Sequence, residues 1–356
     1  MIDVDKEVNR CIGCGICSKS CPCGIDPKVM IELYKAKKIN DLFGYLYSKN
    51  PFSGVCGYIC PNRFCMRTCI RGRNGNPVDI KGLQATFAEQ YFNEKIAYEN
   101  HHIFDTSKSF AIIGAGVSGL STAWFLSHLG CKVDIYEKSP FIGGELWMIP
   151  KDRIPAKIIF DDVKHIVEHE NVTVYTSSNL DVEKAISEYD LVIDCSGSEA
   201  NSLEGIDNTI TYKDYLSQED VKVGKDKLAV IGGGEVALDC ALVNEGSSTI
   251  FVRRNVWDMR IEESDYKKLY DKKVRVLGNF IVKDVQIDEN GFKKVIGDFN
   301  GNHYEEIFDE VVVAIGSHPT EIIEGTYKIN PSKSVVETVA NVKQHIDDII
   351  NKVVND

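Results

Sequence analysis

Residues 109–137, SFAIIGAGVSGLSTAWFLSHLGCKVDIYE, decide the fold of this chain. The apolar run FAII predicts a buried strand, and Gly114-x-Gly116-x-x-Gly119 follows it and opens an apolar helix. Glycines at this spacing allow a tight turn whose helix N-terminus faces a pyrophosphate. The next strand ends at Glu137, where a carboxylate can accept hydrogen bonds from ribose hydroxyls. The stretch predicts a Rossmann unit that binds a dinucleotide, in preference to a glycine turn without a ligand.

A second unit of the same kind begins at residue 227 with KLAVIGGGEVALDCALV, and its first glycine lies 118 residues after Gly114. Its next strand, STIFVRR, ends in two arginines where the first unit has an acid. Arginines there suit a 2'-phosphate and indicate NADPH, although a solvated surface pair, with NADH as the cofactor, stays open. The candidate cofactor-binding residues of this unit are Gly232, Gly234, Glu235, Val236, Arg253 and Arg254.

Nine of the 12 cysteines lie between residues 11 and 69 in metal-like spacing. The two main runs are Cys11-x2-Cys14-x2-Cys17-x3-Cys21-Pro22 and Cys56-x3-Cys60-x4-Cys65-x3-Cys69. The first run has the bacterial ferredoxin spacing, in which the cysteine before proline binds a different 4Fe-4S cluster from the other three. Zinc and a catalytic CxxC pair are weaker interpretations, because neither accounts for the whole pattern. The sequence therefore predicts two iron-sulfur clusters.

Composition limits the class of protein. The 356 residues carry a formal net charge of -12, which argues against nucleic acid and anionic membrane surfaces as partners. We find no apolar stretch long enough to span a membrane and no signal peptide, so we expect a soluble, cytoplasmic protein. The length suggests two or three domains.

Together, the cysteine runs and the paired glycine motifs resemble the NADPH-dependent glutamate synthase small subunit family and the amino-terminal half of dihydropyrimidine dehydrogenase. The most specific stretch is NPFSGVCGYICPNRFCMRTCIRGRNGNPVDIKGLQ, at residues 50–84. The resemblance implies FAD at the first glycine motif and NADPH at the second. It also implies that the ligands of the two clusters are exchanged between the runs. One cluster would be held by Cys11, Cys14, Cys17 and Cys69, and the other by Cys21, Cys60, Cys65 and Gln84.

Further flavin-site residues follow from the same resemblance. The segment from Gly143 to Pro155 matches a loop near the flavin, with Trp147 and Met148 in place of the usual tyrosine and glycine. After Gly316 the family has a further strand and a glycine-aspartate pair. Here GTYKINPSKSVVETVANV follows directly, so we expect that strand and carboxylate to be missing, with Thr326 at the position of the aspartate. The remaining candidate flavin-site residues are Lys138, Gly144, Leu146, Arg153 and Gly316.

The predicted fold class is α/β, with a helical domain that holds two 4Fe-4S clusters followed by two Rossmann-like domains. The helical domain covers 1–105. The FAD-binding domain covers 106–205 and 316–356, closed by the apolar helix pattern of the tail, and the NAD(P)H-binding domain covers 206–315.

The predicted function is an NAD(P)H-dependent oxidoreductase subunit that passes electrons from NADPH through FAD and two 4Fe-4S clusters to a separate protein. FAD is required because a hydride carries two electrons and each cluster accepts one. No acid, base or nucleophile of the chain is needed. The partner would be a catalytic or electron-accepting subunit, giving a hetero-oligomer, or a ferredoxin. The alternative is a scaffold subunit without its own flavin turnover. A thioredoxin reductase would need a CxxC in the second Rossmann unit, where Cys240 stands alone.

Overall fold

The structure is a computed structural model, and it describes residues 2–94, 107–217 and 226–355. The chain forms two compact units. The first comprises Met1–Trp147, Lys151–Gly197 and Thr320–Asp356, and the second comprises Met148–Pro150 and Ser198–Pro319. The predicted boundary between residues 105 and 106 lies outside the described residues. The cysteine-rich segment and the first glycine motif therefore share one unit.

The first unit begins with short helices whose ends follow local signals. Asp3 and Asp26 each accept a backbone hydrogen bond at a helix start, from Lys6 N at 3.0 Å and Lys28 N at 2.8 Å. The stretch from residue 27 to 49 divides into two helices because Lys37 adopts a φ of 57°. The helices of this segment are α1 (Val4–Arg10), α2 (Pro27–Lys35), α3 (Ile39–Lys49), α4 (Ser53–Ile59), α5 (Cys65–Thr68) and α6 (Ile80–Glu94).

A parallel sheet follows in the same unit. Its elements in chain order are β1 (Ser109–Ile113), α7 (Val117–His128), β2 (Lys132–Tyr136), α8 (Ala156–Val167), β3 (Val172–Tyr175), α9 (Val182–Glu188) and β4 (Leu191–Asp194). Strands β1 and β4 carry continuous apolar burial, as expected of a parallel sheet covered on both faces. The first Rossmann unit is thus present as predicted.

The second unit contains a parallel sheet and two antiparallel pieces. Its elements are β5 (Ser198–Ala200), β6 (Ile210–Thr211), α10 (Tyr212–Ser217), β7 (Lys227–Ile231), α11 (Glu235–Val243), β8 (Ser247–Phe251), α12 (Glu263–Asp271), β9 (Arg275–Leu277), β10 (Phe280–Ile287), β11 (Lys293–Phe299), β12 (Asn302–Phe308), β13 (Glu310–Val313) and β14 (Ser317–Pro319). The parallel sheet has the order β6-β13-β7-β8-β9, and β10, β11 and β12 form an antiparallel sheet.

The pairing of β5 with β14 moves the unit boundaries from their predicted positions. These strands pair antiparallel, with Ser317 opposite Ala200, and both belong to the second unit. The chain therefore changes units between residues 197 and 198 and between 319 and 320, rather than at 205/206 and 315/316. Gly316 lies in the second unit, not with the first glycine motif.

The expectation that the first unit lacks its returning strand is wrong. Strand β15 (Tyr327–Lys328) lies beside β4 and completes the sheet order β15-β4-β1-β2-β3. The pairing is reinforced by a buried ion pair, in which Lys328 Nζ lies 2.9 Å from Asp194 Oδ2. Thr326 precedes this strand, so it does not occupy the carboxyl end where the family's aspartate follows.

The closing helix is present as predicted. Helix α13 (Val335–Asn355) packs against α7 and buries the apolar positions of its sequence pattern. Arg63 Nη2 also lies 2.9 Å from the carboxylate of Glu337, in the first turn of α13. The C-terminal helix therefore belongs to the same body as the cysteine-rich segment.

Candidate iron-sulfur and nucleotide sites

Four thiols from both cysteine runs line one cavity, which we call the outer cavity. They belong to Cys11, Cys14, Cys17 and Cys69, and Cys14 is exposed to solvent. Burial is the main reason that the pKa of Cys17 rises to about 11, and the charges of the other three thiols add to it. Thiolates that repel one another in this way fit a cationic centre such as an iron-sulfur cluster.

A second cavity is lined by Cys21, Cys60, Cys65 and Gln84, and we call it the inner cavity. Burial raises the pKa of both Cys60 and Cys65 to about 12, and nearby thiols contribute to each rise. The two groupings are those that the family resemblance implies. Their chemistry fits two clusters, one with four thiols and one with three thiols and a carboxamide.

The two cavities share part of their walls. Pro27 and Ile80 line both of them. The inner cavity is also lined by Val336, in the first turn of α13. The cavities are therefore neighbours separated by a thin apolar wall, and the inner one adjoins the helix that packs on α7.

The two cysteines not assigned as ligands have different surroundings. Cys23 is buried, and its Sγ donates to the carbonyl of Val336 at 3.2 Å. Cys56 is 3% exposed and lines the inner cavity together with Asn50. The sequence analysis did not assign either residue to this site. Helix α4 places Cys56 one turn before Cys60, a spacing that the sequence displays. The inner cavity thus holds four thiols beside Gln84.

The side chain of Gln84 is oriented by helix α4. Its Nε2 donates to the carbonyl of Ser53 at 2.9 Å. This hydrogen bond engages the amide nitrogen and leaves Oε1 as the atom suited to a metal. Gln84 is therefore held from the backbone of the same helix that carries Cys56.

A buried carboxylate anchors α4 to the Rossmann part of the unit. Asp162, on α8, accepts hydrogen bonds from Val55 N at 2.8 Å and from the hydroxyl of Tyr47 at 3.0 Å. Burial raises the pKa of Asp162 to about 7, and these donors oppose the rise. The helix N-terminus favours the ionised form, so Asp162 connects the segment that carries Cys56 and Cys60 to the first sheet.

The first glycine loop, residues 114–119, has the geometry of a dinucleotide site. A Cβ at Gly114 would lie 2.7 Å from the carbonyl oxygen of Cys195, so the turn needs glycine there. At Gly116 a Cβ would meet nothing within 4 Å, which leaves open space before the N-terminus of α7. That space is where a pyrophosphate would lie in such a motif. The residues present therefore fit FAD.

Glu137 stands beside this loop as predicted, and it also has a structural role. Its Oε2 accepts from Ala115 N, and its Oε1 accepts from Ser139 N, both at 2.8 Å. Each carboxylate oxygen retains acceptor capacity for a ribose hydroxyl. Glu137 therefore connects the glycine loop to the turn after β2.

The other predicted flavin-site residues are dispersed. Lys138 is exposed, Leu146 is buried, and Arg153 is half-buried. A Cβ at Gly144 would lie 3.1 Å from the Cα of Gly116, so residues 143 and 144 pack directly on the glycine loop. Gly144 is thus beside the dinucleotide site, whereas Gly316 lies in the other unit.

The second glycine loop, residues 232–237, follows β7 and opens α11. A Cβ at Gly232 would lie 2.2 Å from the carbonyl oxygen of Ala314, whereas a Cβ at Gly234 would meet nothing within 4 Å. Glu235 and Val236 are the first two residues of the helix, and Val236 is exposed. This loop also has open space at its helix N-terminus and fits a nicotinamide dinucleotide.

Three arginines lie at this end of the second sheet. Arg253 and Arg254 follow β8 and are exposed, and within the described residues neither side chain has an ion pair. Arg260, which the sequence analysis missed, donates its backbone N–H to the carbonyl of Gly233 at 2.7 Å. It forms a parallel bridge with Gly234, so its backbone lies against the glycine loop. Because Arg260 is separated from β8 in sequence, no local pattern predicted that it lies beside the second glycine loop.

Among the helices that the structure describes, none is both long enough and apolar enough to cross a membrane.

Comparisons with known proteins cover both halves of the chain. The family described as dihydropyrimidine dehydrogenase domain II, 4Fe-4S cluster, matches residues 2–96. The NAD(P)-binding Rossmann-like domain family matches residues 112–158, and the pyridine nucleotide-disulphide oxidoreductase family matches residues 152–338. The last match covers more than half of the chain.

Individual relatives agree with these families. The NAD-dependent dihydropyrimidine dehydrogenase subunit PreT homolog of Salmonella typhi is 26% identical over 362 residues, covering 94% of this chain and 84% of the relative. The glutamate synthase [NADPH] small chain of Mycobacterium tuberculosis is 25% identical over 264 residues, covering 66% of this chain and 54% of the relative. The thioredoxin reductase of Lactococcus lactis, 16% identical, superposes with a TM-score of 0.55 over 70% of this chain and 100% of that chain. The last likeness shows the fold alone.

Cysteine-lined cavities and two dinucleotide-type glycine loops in one chain define an iron-sulfur oxidoreductase of the pyridine-nucleotide class. The chain belongs to the pyridine nucleotide-disulphide oxidoreductase family. The resemblance to the glutamate synthase small subunit and to dihydropyrimidine dehydrogenase is confirmed. The protein is an NAD(P)H-dependent oxidoreductase whose cofactors are iron-sulfur clusters, FAD and NAD(P)H.

Proposed function

We propose that this protein oxidises NADPH and delivers the electrons to a separate protein through its cysteine-rich segment. The observation that carries the proposal is that two adjoining thiol-lined cavities belong to the unit of the first glycine loop. When bound, FAD accepts a hydride from NADPH and returns its electrons one at a time to iron-sulfur clusters. The chain's own residues bind and position these groups.

The proposed ligands follow the lining of the two cavities. In the outer cavity they are Cys11, Cys14, Cys17 and Cys69, and in the inner cavity they are Cys21, Cys60, Cys65 and Gln84. The hydrogen bond of Gln84 Nε2 to the carbonyl of Ser53 supports Oε1 as the ligand atom, and a neutral oxygen in place of a thiolate would alter the reduction potential of that cluster. Cys56 is the competing ligand, because it lines the same cavity.

The nucleotide sites divide between the two units. Gly114, Gly116, Gly119, Glu137 and Gly144 would hold FAD in the first unit. Gly232, Gly234, Arg253, Arg254 and Arg260 would hold NADPH in the second. Arginines without acidic partners suit the 2'-phosphate of NADPH, which NADH lacks.

The partner is proposed as a separate electron-accepting subunit or a ferredoxin. The two curated relatives named above are a dehydrogenase subunit and a small chain, so both are parts of larger enzymes. In a hetero-oligomer, the partner would accept the electrons that reach the outer cavity.

The test is anaerobic reconstitution followed by analysis and spectroscopy. We expect about eight iron atoms and one FAD per chain, and reduction of a dye by NADPH. Cys69→Ser and Cys65→Ser should each remove one of two cluster signals in electron paramagnetic resonance, whereas the non-ligand control Cys23→Ser should retain both. Comparing Cys56→Ser with Gln84→Ala would identify the fourth inner ligand. Iron without flavin and without dye reduction would contradict the proposal and favour the scaffold alternative.

A further inference from the structure

The surface around the outer cavity differs in charge from the rest of the chain. Residues 1–94 contain 13 lysines and arginines against 9 aspartates and glutamates, a net charge of +4. The remaining residues contain 28 against 44, a net charge of -16. Thiolate-bound clusters would reduce this positive charge, but the segment stays far less acidic than the rest of the chain, so an acidic partner is repelled least by this segment.

The basic residues nearest the outer cavity form one surface, which we call the basic patch: Lys19, Arg67, Arg71 and Arg73. All four are exposed. The hydroxyls of Ser20 and Thr68, which follow Lys19 and Arg67 in sequence, lie 2.9 Å apart, so these two basic residues are neighbours in space. Arg71 lines the outer cavity itself.

Few contacts with other groups engage the basic side chains of the patch. Within the described residues, the side chains of Lys19, Arg67 and Arg73 have no ion pair, and Arg71 Nε donates only to the carbonyl of Arg10. The acids nearby are already engaged. Glu7 accepts from Arg10 and from Asp79 N, and Asp26 accepts from Ser18 and from the start of helix α2. Within the described residues, the patch therefore presents four basic side chains without an ion pair.

The patch also has an apolar centre beside an accessible ligand. Ile12 and Ile16 are 57% and 47% exposed, and Cys14 between them is exposed and lines the outer cavity. Exposed apolar side chains inside a charged rim are typical of the core and rim of a protein interface. A partner seated here would contact the wall of the outer cavity directly.

We propose that the basic patch, with Ile12 and Ile16, is the docking surface for a one-electron redox protein with an acidic face. The inference rests on the proposed function, and it adds the site and the charge of the partner. Each NADPH oxidised to NADP+ and a proton releases two electrons, so two acceptor molecules are each reduced by one electron. Charge complementarity speeds their encounter and sets their orientation.

The test uses two electron acceptors of opposite surface charge. One is a plant-type 2Fe-2S ferredoxin with an acidic surface, and the other is a basic cytochrome c. The variant Lys19→Glu/Arg67→Glu is compared with Lys35→Glu/Lys37→Glu, which makes the same charge change. Lys35 ends helix α2, about 12 Å along the helix from Pro27 and about 6 Å from Ile31, the residues of this helix at either limit of the cavity wall, so the control changes the charge of the same segment outside the basic patch. Both assays use the reconstituted full chain.

For ferredoxin, Lys19→Glu/Arg67→Glu should lower kcat/KM by about tenfold or more at low salt, and the difference should fade at about 0.5 M salt. The Lys35→Glu/Lys37→Glu control should change kcat/KM less than about twofold. Reduction of cytochrome c should be unchanged or faster in the patch variant. Arg73→Glu, four residues beyond Cys69, repeats the test with a smaller charge change if iron content falls in the double variant.

Binding of oxidised ferredoxin, measured by calorimetry without NADPH, separates this inference from the proposed function. Patch-dependent binding without NADPH oxidation would support the docking surface and defeat the proposed function. Dye reduction by NADPH with equal ferredoxin kinetics in both double variants would overturn the docking surface alone. Wild-type self-association that the patch variant abolishes would also overturn it, because the acidic partner would then be a second copy.

Discussion

The two glycine loops follow strands of equal length, yet they differ at the third small residue. A Cβ at Gly119 would lie 1.9 Å from the carbonyl oxygen of Gly114, so the first loop has no room for a side chain there. The second loop has Ala237 at this position, fully buried, with its Cβ 3.2 Å from where a Cβ at Gly232 would be. Helix α7 therefore begins closer to its turn than α11 does.

The middle glycines are alike in both loops. Neither Gly116 nor Gly234 would bring a Cβ within 4 Å of another atom. The contacts of the fold thus restrict which residue can stand at the first and third positions. At the middle position, we expect the bound cofactor to set that restriction. The loops differ again after the second strand, where an acid stands in one and arginines in the other, as we expect if the same turn serves two different dinucleotides.

The largest expected effect is that of Gly119→Ala. Because the added methyl would overlap a backbone oxygen, the helix must move, and we expect the free energy of unfolding to fall by about 3 kcal/mol. Flavin content should fall as well. Urea unfolding and flavin analysis measure both, and full stability with full flavin would show that the close approach of α7 is not required.

The next effect concerns the charges beside the second loop. Arg253→Ala/Arg254→Ala should raise the KM for NADPH by about 100-fold, because each charge-assisted hydrogen bond contributes about 1.5–3 kcal/mol. The KM for NADH should change far less. Lys272→Ala/Lys273→Ala, at two exposed residues directly after α12, is the matched control. Equal losses for both cofactors would contradict the phosphate role.

A smaller effect, on cofactor affinity, is expected at the middle glycine of each loop, and it should concern a different cofactor in each loop. Gly116→Ala should weaken FAD about tenfold or more and Gly234→Ala should weaken NADPH similarly, which corresponds to about 1.4 kcal/mol. Each glycine is a helix N-cap, so alanine also costs about 1 kcal/mol of stability. Fluorescence titration of each cofactor against each variant checks the pattern, and unchanged affinities would mean that the open space is not the phosphate site.

The sequence predicted these loops because their information is local. A strand, a glycine turn and an apolar helix follow one another within 20 residues, and each has its own periodicity. Strand β15 was missed for the opposite reason. It has two residues, too few for any periodic pattern, and it is held by register with β4 and by the pair of Lys328 with Asp194.

The cysteine sites show a different limit on what can be predicted from the sequence. Spacing alone predicted clusters, but Cys69 joins a cavity with cysteines more than 50 residues earlier, and only the family resemblance implied that exchange. Cys56 lies on the inner cavity through helical spacing that was visible in the sequence. Arg260 required the tertiary bridge to Gly234, which no local pattern encodes.

The smallest expected effect is that of Ala237→Gly, which gives the second loop the third residue of the first. Removing this buried methyl from a helix should cost about 1 kcal/mol, chiefly through helix propensity, and the KM for NADPH should stay within about twofold. Thermal unfolding and steady-state kinetics measure the two quantities. Gly119→Ala and Ala237→Gly are reciprocal changes, so equal destabilisation would mean that helix propensity and methyl burial, rather than the distance of each helix from its turn, decide the third residue. A marked asymmetry would instead follow from the 1.9 Å overlap at residue 119, which has no counterpart when a methyl is removed at residue 237.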